Sequence, residues 1–156
     1  MANKKVTATQ NDELFVLQSG LISESTKKII EIRDFSTKIE DPENNHKEID
    51  SPMFKLAGVD FSIEVLPDCE ALMDRFIGVR LNNYGNEDQT TSMTVKASGV
   101  KRSWEMREVE AGRSRGIYTL LSHEKYRKWA KKHGDVLRLE VVVTVHRKAE
   151  GDGWTR

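Results

Sequence analysis

Residues 51–67, Ser-Pro-Met-Phe-Lys-Leu-Ala-Gly-Val-Asp-Phe-Ser-Ile-Glu-Val-Leu-Pro, constrain the fold more than any other stretch. Met53, Phe54 and Leu56 lead into Gly58, where the backbone can turn without steric penalty. Phe61, Ile63 and Val65 then alternate with Ser62, Glu64 and Leu66, the two-residue period of a half-buried strand. Pro67 cannot donate to a ladder, so it is expected to end the run. The stretch therefore predicts two antiparallel strands joined by a tight turn.

Other segments extend the pattern. Phe76, Gly78, Arg80 and Asn82 alternate with Ile77, Val79 and Leu81, a second half-buried strand. Residues 91–97 form the next strand, 100–102 turn the chain and 103–109 return it. Residues 40–50, 67–75 and 82–89 read as loops, the middle one as a loop or short helix.

One helix is expected, at 122–134. Ser122 suits its N-cap, Glu124 its positive end, and Lys131, Lys132 and His133 its negative end. Gly134 suits the terminator. Tyr126, Trp129 and Ala130 share one face of it.

The order of these segments resembles the MATH (meprin and TRAF-C homology) domain. In that family an opening strand and corner (Lys28 to Phe35) precede a glycine-turn hairpin (Phe54 to Pro67). A fourth apolar strand (Phe76 to Leu81) follows, then a "G-F-x-x-F-I-S/R" segment (Gly116 to Ser122) with a short helix. A "D-x-L-x-L-x-x-x-V" strand closes the domain (Asp135 to Val143). The resemblance covers residues 26–148. It implies an all-β fold, an eight-stranded antiparallel TRAF-like sandwich with one short helix. Residues 1–25 would be an N-terminal extension, disordered over residues 1–12. Residues 13–22 would form an edge strand or a short helix, and residues 149–156 a tail.

The bulk properties fit one domain: 156 residues can bury roughly 70% of their unfolded surface. Formal net charge is zero, unlike a surface tuned throughout for nucleic acid. The charge is nevertheless segregated: residues 31–74 hold 12 acidic and 4 basic residues, a net of −8. Residues 100–148 hold 13 basic and 6 acidic, a net of +7. A single cysteine, Cys69, permits no internal disulfide, and there is neither an apolar run long enough to span a bilayer nor a secretory leader. The expected setting is cytoplasmic or nuclear. No sustained heptads point to a trimerising coiled coil.

Parts for catalysis are missing. Cys69 lies between Asp68 and Glu70, a setting that raises a thiol pKa. No phosphate loop or nucleophile elbow occurs, and His46, His123, His133 and His146 lack metal-ligand spacing. No catalytic residue, metal or cofactor is expected. The basic helix, with Lys125, Arg127, Lys128, Lys131 and Lys132 around Trp129, offers weak salt-sensitive binding of nucleic acid or acidic lipid. Its charges surround the helix rather than forming a stripe, so this is the lesser reading. A self-associating scaffold is another.

The resemblance implies peptide recognition: a partner's extended segment laid in a shallow groove, paired along a strand edge, as in adaptors and substrate-recognition modules of the ubiquitin pathway. Such domains are often joined to BTB, RING or protease modules, and the chain reads equally as an excised fragment or a small complete protein. Matching the groove of the speckle-type adaptors places Arg80, Met93 and Arg107 at aromatic positions. Arg113, Ser114, Arg115, Gly116 and Ile117 fall on the "K-D-W-G-F" segment. Met93 shares its face with Val95 and Ala97, which by alternation is a core face. Arginines in place of aromatics suggest an acidic or phosphorylated peptide, because guanidinium groups bind carboxylates and phosphates bidentately.

Overall fold

A computed structural model describes residues 14–18, 20–40 and 47–148. The proposed disorder of residues 1–12 and the tail 149–156 lie outside the described residues. Ten strands form two antiparallel sheets: β1 (Leu14–Gln18), β2 (Leu21–Arg33), β3 (Ile49–Asp50), β4 (Phe54–Leu56), β5 (Val59–Ala71), β6 (Asp74–Asn83), β7 (Gln89–Ala97), β8 (Val100–Val109), β9 (Ser114–Ser122) and β10 (Val136–Lys148). Helices α1 (Ser36–Glu40) and α2 (His123–His133) are the other regular elements among the described residues. The first sheet runs β1-β2-β10-β7-β8. The second runs β3-β5-β6-β9, with β4 also paired to β5.

This is an all-β antiparallel sandwich, and alternation explains its core. Leu137, Leu139, Val141, Val143 and Val145 of β10 point inward with Ile30 and Ile32 of β2. Phe61, Ile63 and Val65 of β5 and Ile77, Val79 and Leu81 of β6 meet them from the second sheet. Phe61 lies opposite Phe54 across the β4–β5 hairpin, ring centroids 6.1 Å apart. Ala57 and Gly58, both left-handed (φ 54° and 78°), make the turn read from the sequence.

Four expectations change. Among the described residues the strands number ten rather than eight: the segment open to strand or helix is β1, a hairpin partner of β2, and β3 is a two-residue edge piece. A second helix, α1, follows the Phe35 corner. The loop expected at 67–75 is instead a continuous hairpin. Pro67 does not end β5, because the register shifts between Leu66 and Cys69, and a bulge leaves its position without a ladder bond to lose.

Helix α2 has the ends its sequence specified. The Ser122 hydroxyl accepts from the Lys125 amide at 3.1 Å, and the Gly134 amide donates to the Ala130 carbonyl at 2.8 Å. Tyr126 is fully buried, edge-on to Phe35 at 5.3 Å. Its hydroxyl donates to Asp135 at 2.7 Å, and Asp135 also accepts from the amide and hydroxyl of Ser36. One carboxylate thus ties α1, α2 and β10 together. Burial raises the Asp135 pKa, but the bonds from Ser36 and Tyr126 outweigh it and hold the group below the usual carboxylate value.

A depressed acid stabilises the fold above its unfolded pKa and ceases to do so as pH falls through the folded one. Unfolding temperature is therefore expected to fall below about pH 4. Asp135→Asn should flatten that descent while lowering stability at neutral pH. An unchanged acid limb in a pH series of thermal melts would contradict the assignment.

Candidate strand-edge peptide site

Strand β9 is the outer strand of the second sheet; among the described strands it pairs only with β6. The Asn83 amide donates to the Arg113 carbonyl at 2.9 Å, so Asn83 and Arg113 form a hydrogen-bonded pair. Antiparallel pairing alternates, so Arg115 (opposite Leu81) and Ile117 (opposite Val79) also turn their backbone groups toward β6. The backbone groups of Ser114 and Gly116 consequently face the open side, available to an added strand.

Side chains follow the same alternation. Ser114 and Gly116 lie on the outer face opposite Asn82 and Arg80 of β6, and the exposed Tyr118 follows them. A Cβ on Gly116 would stand 2.6 Å from the Tyr118 ring, so that ring covers the glycine backbone. Arg115 and Ile117 take the inner side. Ile117 packs against the core, and the Arg115 Nε donates to the Glu108 carbonyl at 3.1 Å. The Arg115 guanidinium also lies 6.0 Å from the Trp104 ring centroid, so this side chain closes the open end of the sandwich between β9 and β8.

A cleft of about 350 Å³ lies along this edge, lined by Arg113, Ser114, Arg115, Gly116 and Tyr118 with Glu108 and Glu110. Its charge is mixed. Arg113, the most exposed of its arginines, stands 3.6 Å from Glu110. Arg80 donates through Nε to Glu64 at 2.6 Å. That bond holds Arg80 above its ordinary pKa and Glu64 below the carboxylate value, burial opposing both. Burial, then the neighbouring Glu64 charge, pushes Asp50 the other way, upward. Asn82 donates to Ser62 and Glu64, and Ser62 meets the Tyr84 hydroxyl at 3.0 Å. This polar network occupies the outer face of the second sheet.

The structure therefore brings together Arg80, Arg113, Ser114, Arg115 and Gly116, and separates the rest. Met93 is 0% exposed and lines no groove, because its side of β7 is the core side shared with Val95 and Ala97. Ile117 likewise faces inward. Arg107 is exposed on β8, opposite Thr91, and does not line the cleft. Tyr118, not singled out from the sequence, also lines the cleft, and the two-residue step from Gly116 leads directly to it.

His123, His146 and Cys69 have structural surroundings, and His46 lies outside the described residues. His123 Nε2 lies 2.7 Å from the Pro67 carbonyl. His146 bridges Ser23 and Ser92, each at 2.8 Å, and burial lowers its pKa. Burial and Asp68 raise the Cys69 thiol above its ordinary value. Among the described residues no cluster of His, Cys, Asp or Glu could hold a metal ion, and no helix is long and apolar enough to cross a membrane. No protein-family model matches the chain, and no curated protein matches it significantly.

Proposed function

We propose that this chain is a MATH-like protein-interaction module that takes an extended peptide as an added strand on β9, serving as an adaptor or substrate-recognition domain. The observation that carries the reading is the open edge of β9, with the Ser114 and Gly116 backbone directed outward beside a side-chain cleft. The order of the family-like segments supports it: they fall on β2, the β4–β5 hairpin, β6, β9 with α2, and β10. The peptide carries an acidic or phosphorylated residue, read by Arg113. Arg80 contributes less, because Glu64 already holds it, and Arg115 serves the sandwich edge. Main-chain bonds over so short a strand give a weak complex, on the order of micromolar.

Peptide arrays test the specificity. Bound peptides in which each Asp, Glu or phosphoresidue is replaced by Ala are expected to lose most of their signal. Equal binding by the neutral peptides would overturn the acidic preference and leave the strand edge to be judged separately.

A further inference from the structure

The β5–β6 hairpin ends on Leu72 and Met73, which are 87% and 98% exposed. Both residues are left-handed, with φ of 54° and 61°. Such a two-residue turn favours Asn-Gly, because side chains with a Cβ resist positive φ. Here two large apolar residues hold the strained conformation and face water. The stem beneath is braced: Arg75 pairs with Asp68 and, at 3.2 Å, with Glu70. The Asp68 side chain is buried in its pair with Arg75, so the carboxylates the stem exposes are Glu70 and Asp74. The tip is thus an apolar knob on an acidic collar.

A surface of opposite character lies between α2 and the turn joining β7 to β8. It is an open groove of about 650 Å³ with Trp129 along its wall, opposite Gly99. Lys125, Lys128, Lys131 and Lys132 rim it. One of these lysines, Lys128, meets a carboxylate, the exposed Glu124 at 3.7 Å. His133 stacks on the Trp129 indole at 3.7 Å, and this aromatic pair rimmed by ammonium groups complements an apolar knob flanked by the Glu70 and Asp74 carboxylates.

We infer that the Leu72–Met73 tip of one copy of the chain docks against Trp129 in the α2 groove of a second copy. Knob and groove are different surfaces, so the contact is head-to-tail, and each chain can engage a neighbour at both ends. Apolar contact supplies the attraction, and the collar and rim charges set the orientation. Neither surface overlaps the β9 edge, so the inference stands apart from the peptide reading.

Sedimentation of the whole chain from about 10 µM to 1 mM tests it. The weight-average mass is expected to rise at least two-fold with concentration, and to rise less in high salt. The Leu72→Asn/Met73→Gly variant is expected to stay monomeric and to melt higher than the parent, because it relieves the strained turn. Lys125→Glu/Lys128→Glu alters the other surface and should also be monomeric. Mixing the two variants should restore association only as far as two chains, since one intact knob and one intact groove remain. A parent chain that stays monomeric throughout overturns the inference. So does a tip variant that associates like the parent. Salt-sensitive capture of a single-stranded oligonucleotide at Trp129 by a monomeric parent would assign the groove to a polyanion instead.

Discussion

Ser114→Pro is expected to leave the sandwich folded and to weaken peptides selected by the parent chain about ten-fold or more. The Ser114 amide points away from β6, so its removal costs no bond within the sheet. The same amide is the first donor that a strand added to β9 would meet, and the proline ring occupies the space of the approaching chain. Arg113 tolerates the change, because a residue before proline favours the extended conformation already imposed by its bond to Asn83. Arg115→Pro is the informative contrast. Its amide faces β6, so that variant should lose stability whether or not a peptide is present. Thermal melts and peptide titration of the two variants separate the edge from the fold. Unchanged affinity in Ser114→Pro would remove strand addition from the account.

Phe61→Ala is expected to destabilise the fold by about 3–5 kcal/mol. Its side chain is fully buried, stacks on Phe54 and sits where the β4–β5 hairpin meets the body of the sandwich. Alanine would leave a cavity bounded by strands held in register on both sides, by Phe54 and by Asn83. Such a site collapses poorly. A loss of that size is a large share of the 5–15 kcal/mol that holds a typical domain together. Denaturant unfolding measures it, and a loss below about 1 kcal/mol would place Phe61 outside the main core.

The sequence was most legible where one physical rule acts alone. Ile77, Val79 and Leu81 alternate and are buried; Ser122 and Gly134 cap α2. It was least legible where a local irregularity intervened. The bulge after Leu66 lets β5 pass through Pro67, and a Leu-Met turn carries none of the residues that announce a hairpin. Helix α1 has only five residues, too few for a helical period to show.

The site shows the same division. Arg80 was placed outward by alternation and is there, but its ion pair with Glu64 depends on the pairing of β5 with β6, which periodicity does not encode. Met93 illustrates the reverse error. Its alternation with Val95 and Ala97 pointed to the core, and the family motif alone placed it in the groove. Ile117 went astray for a related reason: a motif read residue by residue ignores that neighbours on a strand face opposite ways.

The central claim is that β9 is a docking edge, and an amide-resolved titration addresses it most directly. The isotope-labelled chain would be titrated with an acidic peptide taken from the array, and backbone shifts followed by NMR. The account predicts the largest changes at Ser114 and Gly116, with Arg113 and Tyr118 moving beside them and α2 undisturbed. Changes that cluster on α2 or elsewhere, with β9 silent at saturation, would contradict it.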